Sequence, residues 1–323
     1  MTLNTVGSNE GVALARAIAD AVTANVERTL QGKTEAIRLA LACMLAGGHL
    51  LIEDVPGTGK TSLAKSLAAS IGGSSYRIQF TPDLLPTDIT GVSVWDPHSR
   101  VFEFRPGPVF ANVVVADEIN RASPKTQSAL LEVMEEDQVT VDGVGHPVPS
   151  PFLVVATQNP IDLEGTYRLP EAQLDRFLMR IRLGHPGRAV EEEILLGRSR
   201  SAVPVLSPVT SPEQIAQLQG VVATIFTAPE IAQYIAAITE ATREHDALRL
   251  GASTRGSLAL LRAAQALAAC SGRHYALPDD VKSAAPAVLT HRLVLAAKAE
   301  VRGVTAVAVL DEVLDGIRIP VLT

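Results

Sequence analysis

The most informative stretch of the sequence is Glu53-Asp54-Val55-Pro56-Gly57-Thr58-Gly59-Lys60-Thr61. It follows the apolar run 49–52, and a helical pattern continues after it to residue 71. A strand, a glycine-rich loop and a helix in this order predict a phosphate-binding unit. The glycines allow successive backbone N–H groups to turn towards a phosphate, and the helix directs its positive end at the same place.

Two side chains of this loop carry the expected chemistry. Lys60 is predicted to reach the β and γ phosphates of ATP, and the Thr61 hydroxyl is predicted to bind Mg²⁺. The usual pattern has a glycine six positions before the lysine, whereas this sequence has Asp54 there. The remaining features of the pattern are present. We therefore expect nucleotide contacts from Pro56, Gly57, Thr58, Gly59, Lys60, Thr61 and Ser62.

A second acidic feature follows the apolar run 110–116, which is typical of a buried parallel strand. The run ends in Asp117 and Glu118. Ligands of open parallel sheets bind at the carboxyl ends of the strands. Asp117 is therefore predicted to hold Mg²⁺ through water, and Glu118 to orient and deprotonate the attacking water.

Three further residues are candidates for sensing or stabilising the γ-phosphate. Asn159 follows the apolar strand 152–156, which suggests a neutral donor beside the phosphate. Arg176 precedes the last predicted strand, 179–183, and Arg255 lies at the start of a helix. A single arginine is more often a surface charge, but phosphoryl transfer needs positive charge on the γ-phosphate oxygens. The positions of these residues favour the functional interpretation.

The order of the elements predicts the fold class. Strands that alternate with helices indicate an α/β fold with a parallel sheet. Strand signals stop near residue 187, so we expect a nucleotide-binding domain over 1–200 and a small all-helical lid over 201–323. Two hairpins are predicted within the first domain, one inside 81–109 and one inside 137–150.

Several helices have bounds that can be tested. The predicted helices cover 11–30, 34–46, 254–270 and 278–298. Capping boxes are predicted at Ser211–Gln214 and Thr227–Glu230. Ser123 is predicted to cap a helix that has Pro124 in its first position.

The composition restricts the environment and the partners. The chain has 28 Lys and Arg against 35 Asp and Glu, a formal charge of −7. This balance disfavours nucleic acid and anionic lipid as partners. Cys43 and Cys270 lie in apolar helical stretches and are expected to be buried thiols in a reducing compartment. No signal-peptide pattern and no apolar run long enough to span a bilayer is present, so we expect a cytoplasmic protein without stable membrane insertion.

These blocks, in this order, resemble the MoxR family of AAA+ ATPases. The resemblance covers nearly the whole chain and is carried by residues 53–61, 116–122 (ADEINRA), 124–132 (PKTQSALLE), 156–160 (ATQNP) and 169–177 (LPEAQLDRF). It implies hexameric ATPases with chaperone-like roles, whose protein partners often carry von Willebrand factor A domains.

The resemblance also implies roles for individual residues. Lys60 and Thr61 match the Walker A residues, Asp117 and Glu118 the Walker B residues, Asn159 sensor 1, Arg176 the arginine finger and Arg255 sensor 2. Residues 81–109 look like the helix-2 insert, and residues 137–150 like the hairpin before sensor 1. Whether Arg255 acts on the nucleotide of its own subunit or of a neighbour stays open at this point.

Three alternative functions are compatible with a phosphate-binding α/β domain. A nucleic-acid motor should carry Lys or Arg at the tip of its hairpin, but residues 137–150 contain neither. A metal-chelatase-type ATPase subunit is a second alternative. A nucleotide-gated binding module without turnover is a third, and the two acids with the two arginines argue against it.

Overall fold

The strands of the first half of the chain form one parallel sheet. We describe it from a computed structural model that covers residues 9–55, 57–159, 166–195 and 205–320. The strands are β1 Leu50–Glu53, β2 Ser75–Gln79, β3 Gly91–Asp96, β4 Val101–Pro106, β5 Val113–Asp117, β6 Gln138–Val141, β7 Val144–Pro147, β8 Leu153–Gln158, β9 Met179–Ile181, β10 Leu248–Leu250 and β11 Val294–Leu295. The helices are α1 Asn9–Glu27, α2 Thr34–Leu45, α3 Lys60–Ser70, α4 Pro86–Thr90, α5 Pro124–Glu136, α6 Glu171–Leu174, α7 Arg188–Leu195, α8 Pro212–Ala223, α9 Pro229–Glu244, α10 Thr254–Cys270, α11 Pro278–Leu289, α12 Ala297–Val301 and α13 Ala306–Gly316.

The sheet has the order β2-β5-β8-β1-β9 within the described residues, and all neighbouring strands are parallel. The predicted α/β class is therefore confirmed. Parallel strands place all their carboxyl ends at one edge of the sheet, so the segments after β1, β5 and β8 meet there. In register, Gln79 lies beside Asp117, and Glu53 lies beside Gln158.

The side chains of each strand alternate between the two faces of the sheet, and the two faces belong to different apolar clusters. One face, which includes Leu50, Val115 and Val155, belongs to the same apolar cluster as α1, α2, α3 and the later helices. The other face, which includes Leu51, Val114 and Val154, packs with α5. Both faces are apolar because a parallel sheet is covered on both sides.

The amino edge of the sheet is anchored by the buried His49, which precedes β1. Its Nδ1 accepts the Val154 N–H at 3.1 Å, and its Nε2 contacts the Met134 carbonyl at 3.0 Å. The carbonyl of His49 accepts the Leu178 N–H at 2.9 Å. Burial lowers the pKa of His49 to about 4, so the ring is neutral and can accept at Nδ1. The end of α5 and the segment before β9 are therefore both held at the amino edge.

Two hairpins project from this domain, as predicted. In the first, β3 pairs with β4, and Trp95 lies opposite Phe102. In the second, β6 pairs with β7. The hairpins contact each other, because Ser93 Oγ donates to Asp142 at 2.6 Å and Phe104 stacks on His146 with ring centroids 4.0 Å apart.

The helices α8 to α13 form a lid, which also contains one short antiparallel pair of strands. The prediction that strands stop near residue 187 is wrong at this place, because β10 pairs with β11. The predicted helix 278–298 ends at Leu289. A 3-10 turn, Thr290–Arg292, follows and binds the chain segment before β9, and this contact redirects the backbone.

Of three predictions for the lid helices, two are confirmed and one is wrong. Helix α10 covers 254–270 as predicted, and Ser211 caps α8 through a capping box. The box at Thr227–Glu230 does not form, because Pro229 occupies the first helical position and Ala228 becomes the cap. Thr227 Oγ1 instead accepts a hydrogen bond from Gln265 at 3.3 Å. The predicted boundary between residues 200 and 201 lies outside the described residues.

Candidate functional site

The predicted phosphate loop joins the carboxyl end of β1 to the first turn of α3. Gly57 and Gly59 have φ values of 85° and 93°, which side-chain-bearing residues rarely adopt. Thr58 is buried and its hydroxyl donates to the Val55 carbonyl at 3.2 Å, while Gly57 and Ser62 are exposed. Lys60 Nζ donates to the carbonyls of Asp54 and Val55 at 2.5 and 3.2 Å. Pro56 lies outside the described residues.

Asp54 fastens this loop to the segment that follows the neighbouring strand β9. Its carboxylate accepts the backbone N–H groups of Val55, Leu183 and Gly184 at 2.8, 2.9 and 2.5 Å. A glycine at this position could make none of these bonds. The departure from the usual pattern therefore has a structural role.

The acids Asp117 and Glu118 lie beside the loop at the same edge of the sheet. Asp117 is 7% exposed, and the Thr61 hydroxyl is 3.4 Å from its Oδ2. Glu118 has φ 57° and ψ 48°, a left-handed conformation that is uncommon for residues other than glycine and recurs at functional sites. The loop hydroxyl and both acids are thus brought together.

Thr157, near the end of β8, holds both acids. Its Oγ1 donates to Asp117 Oδ1 at 2.5 Å and accepts the Glu118 N–H at 2.9 Å. Asn159, the predicted sensor, follows β8 at this edge and is 8% exposed. Thr157 was missed by the sequence analysis, although its position two residues before Asn159 is a signal that could have indicated it.

Two further polar residues were missed because they come from the edge strand β2. Arg77 binds Asp117 Oδ2 through Nε at 3.0 Å and Nη2 at 2.7 Å, and Gln79 Nε2 donates to Glu118 at 2.8 Å. Arg121 lies 3.5 Å from the same glutamate. These positive and polar groups offset the negative charge of the two acids. Nothing in the local sequence of β2 indicates that β5 is its neighbour.

The oxygen donors at this edge fit Mg²⁺ bound together with nucleotide. Hydroxyl and carboxylate oxygens are suitable ligands, and Mg²⁺ typically uses one or two carboxylates plus substrate phosphates. Among the described residues there is no cluster of three or more His, Cys, Asp or Glu that could hold a metal alone. Thr61 and Asp117 are the residues that would hold the ion.

The two predicted arginines meet at a different place. Arg176 Nη2 lies 2.9 Å from Glu135 Oε2, and Arg255 Nη2 lies 2.8 Å from Glu135 Oε1. Arg176 also donates to the Leu131 carbonyl at 2.7 Å. Glu135 follows Met134, whose carbonyl contacts His49 at the amino edge. Both arginines were predicted from the sequence, but the glutamate that joins them was not.

Both arginines therefore lie on the opposite edge of the sheet from the phosphate loop. Strand β1 separates His49 from the loop, and its four residues span roughly 13 Å. A cleft of about 350 Å³ opens beside the arginines, lined by Glu135, Asp137, Asp175, Arg176, Arg255 and Arg262, among others. Arg255 therefore lies away from Asn159, which follows β8 at the carboxyl edge of the sheet.

No helix among the described residues combines the length and apolar character needed to cross a bilayer.

Cys43 and Cys270 are buried free thiols, as expected. Burial raises the pKa of both thiols, that of Cys270 to about 12, which keeps them protonated and unreactive.

Comparisons with known proteins agree with this arrangement. Residues 49–179 match the family described as "ATPase family associated with various cellular activities (AAA)", and residues 240–313 match the AAA lid domain. A crystal structure of a protein from Cytophaga hutchinsonii has a TM-score of 0.89 and 36% identity, covering 96% of this chain and 97% of that one.

Three named relatives indicate which family of AAA ATPases the chain belongs to. Protein YeaC of Bacillus subtilis is 48% identical over 92% of this chain and 93% of its own length. Chaperone MoxR1 of Mycobacterium tuberculosis is 41% identical over 97% of this chain and 85% of its own length. Protein MoxR of Methylorubrum extorquens is 32% identical over 86% of this chain and 88% of its own length. With its phosphate loop, paired acids and helical lid, the chain belongs to the MoxR family of AAA+ ATPases.

Proposed function

We propose that the chain assembles into a ring of identical subunits, a hexamer, in which ATP hydrolysis remodels a protein client. The ATPase activity follows from the family. The ring, the client and the roles of individual residues are our proposal, and the geometry of the two edges supports them.

On the carboxyl edge, the subunit binds and activates its own nucleotide. The backbone N–H groups of residues 57–62 and the Lys60 ammonium hold the phosphates. Thr61 and Asp117 would hold Mg²⁺, which would neutralise charge on the phosphate oxygens. Glu118 orients and deprotonates the attacking water, and Asn159 senses the γ-phosphate. Through its hydrogen bonds, Thr157 holds Asp117 and Glu118 in position for these roles.

On the amino edge, the subunit presents two arginines to the nucleotide of its neighbour. The single observation that carries this proposal is that Arg176 and Arg255 share Glu135 on the edge opposite the loop. From there, they are too far from their own nucleotide to stabilise its transition state. A head-to-tail ring brings the amino-edge face of one subunit to the loop of the next, because such interfaces join different surfaces.

The client is proposed to meet the two hairpins. Trp95 and Phe102 pair at the end of the first hairpin and are 49% and 67% exposed, which is typical of interaction surfaces. The absence of Lys and Arg from residues 137–150 disfavours nucleic acid as the client. A relative is named a chaperone. We propose a protein client, and proteins with von Willebrand factor A domains are the first candidates.

The first prediction tests Glu118 directly. Glu118→Gln keeps the shape and the contact with Gln79 but removes the base, so ATP binding is retained and turnover falls by about 100-fold or more. The measurements are nucleotide binding by calorimetry and phosphate release at saturating ATP. Glu132→Gln, on the exposed side of α5, is the matched control and keeps the parent rate.

Turnover of the Glu118→Gln variant at the parent rate contradicts the role given to Glu118. If the parent chain binds ATP but releases no phosphate at any protein concentration, the chain is a nucleotide-gated binding module instead.

A further inference from the structure

A buried lid arginine holds the segment that carries Arg176. The segment Asp175–Leu178 joins α6 to β9, and Arg292 of the lid reaches into it from the 3-10 turn after α11. Its guanidinium donates from Nε to Asp175 Oδ1 at 2.6 Å, from Nη2 to the carbonyls of Asp175 and Phe177 at 3.1 and 2.8 Å, and from Nη1 to the Leu178 carbonyl at 3.3 Å. Nη1 also contacts the Val288 carbonyl and His291 Nε2.

This arrangement demands an arginine. The side chain of Arg292 is 3% exposed, and a guanidinium presents five N–H donors in a planar fork. A lysine offers three donors at a single point and could not reach four acceptor atoms on three residues of the same segment. Burial lowers the pKa of Arg292, and the Asp175 carboxylate opposes that shift, so the charge is retained by its partner.

Further lid contacts converge on the same segment. Ser253, the cap of α10, donates from Oγ to Asp175 Oδ2 at 3.3 Å, and His291 Nε2 contacts the Phe177 carbonyl at 3.1 Å. Arg255 is the second residue of α10. Asp175 is therefore linked both to Arg292 and to the helix start that carries Arg255, while its neighbour Arg176 meets Arg255 at Glu135.

We propose that Arg292 is a positioning residue that ties the segment Asp175–Leu178 to the lid. Arg176 and Arg255 then move as one unit, together with the lid, when they approach the nucleotide of the neighbouring subunit. The inference rests on the proposed function, in which Arg176 acts on a neighbour, and it adds the residue that couples the two arginines.

The coupling has a consequence that a purely structural role does not have. Among the described residues, Arg292 contacts the segment that carries Arg176 and not the phosphate loop or the acids of its own subunit. A subunit with a defect at Arg292 should therefore fail as a donor of arginines and still hydrolyse ATP when a neighbour supplies them.

Mixed assemblies test this consequence. Arg292→Lys alone is expected to lower steady-state phosphate release by about tenfold or more, with ATP binding close to that of the parent chain. Glu118→Gln subunits are themselves inactive but carry intact arginines. When Arg292→Lys subunits are mixed with an excess of Glu118→Gln subunits, phosphate release per Arg292→Lys subunit is expected to rise at least about fivefold.

Two variants calibrate the measurement. Arg176→Ala lacks the arginine itself, so its recovery by Glu118→Gln subunits establishes that arginines act between subunits. Arg302→Lys changes an exposed lid arginine at the end of α12 and is expected to keep the parent activity. Asp175→Asn removes the charge opposite Arg292 and keeps one acceptor oxygen, and it is expected to show a milder, equally recoverable loss; it decides the question if Arg292→Lys does not fold.

The outcomes separate the two proposals. If Arg176→Ala recovers but Arg292→Lys and Asp175→Asn do not, or if those two have parent activity alone, Arg292 does not position the pair and the proposed function stands. If Arg176→Ala does not recover, the action of arginines between subunits is wrong, and the role of Arg292 falls with it. Recovery of all three supports the coupling.

Discussion

At the scale of single residues, Asp54 shows how a departure from a sequence pattern can have a structural reason. Its carboxylate accepts hydrogen bonds from three backbone N–H groups, two of them in the segment that follows β9. Hydrogen bonds to a charged group contribute about 1.5–3 kcal/mol each, more than neutral ones. The phosphate loop is therefore tied to the strand beside it.

This contact leads to a prediction about the loop. Asp54→Gly restores the usual pattern but leaves the N–H groups of Leu183 and Gly184 without their acceptor. The free energy of unfolding should fall by about 2 kcal/mol, and ATP should bind several-fold more weakly. Asp54→Asn keeps one acceptor oxygen, so its stability and its affinity for ATP should lie between those of Asp54→Gly and the parent chain.

Urea unfolding and nucleotide titration measure both effects. Asp246→Asn, at an exposed position between α9 and β10, is the matched control and should change neither. Our interpretation of Asp54 is wrong if Asp54→Gly is as stable as the parent chain and binds ATP equally well.

How far the site could be predicted depends on whether its residues are close in sequence. Lys60 and Thr61 stand in one local pattern, and Asp117 and Glu118 end one apolar run, so all four were identified from sequence. Arg77, Gln79 and Glu135 enter through strand order and tertiary contact. No local pattern encodes that β2 lies beside β5, or that Arg176 and Arg255 meet at the end of α5, and so these residues were missed.

At the scale of elements, local signals predicted helices well where only local physics acts. Helix α10 starts after the Ser253 cap and ends at Cys270, as its periodicity predicts. The stretch 278–298 also has a helical pattern, but the helix ends at Leu289 because Arg292 binds the core segment before β9. Tertiary contacts outweigh weak helix propensity at such positions.

Two helical glycines give a matched prediction at this scale. Gly220 in α8 has open space around it, whereas a Cβ at Gly256 in α10 would lie 3.2 Å from Arg292 Cδ. Alanine stabilises a helix interior by about 1 kcal/mol relative to glycine. Gly220→Ala should therefore raise the free energy of unfolding by about this amount, and Gly256→Ala should leave it unchanged or lower it, because Arg292 cannot move away.

Chemical denaturation of the two variants decides this comparison. A clear gain in stability from Gly256→Ala would show that Arg292 yields easily, contrary to the dense hydrogen bonding that surrounds it.

At the scale of the whole molecule, the parallel sheet separates the two sets of residues to which we assign roles in ATP hydrolysis. The loop and the acids lie at its carboxyl edge, and Arg176 with Arg255 lies at its amino edge. The sequence predicted the strands and the fold class, but the distance between the two sets follows only from the folded sheet. This separation is the reason for assigning the arginines to the neighbour's nucleotide.

The most direct test is the structure of the assembled Glu118→Gln variant with ATP and Mg²⁺, determined by electron cryomicroscopy. We predict a ring in which the γ-phosphate contacts Lys60 of one subunit and Arg176 and Arg255 of the next. A γ-phosphate in contact with Arg176 of its own subunit, or a triphosphate bound away from residues 57–62, would contradict the account.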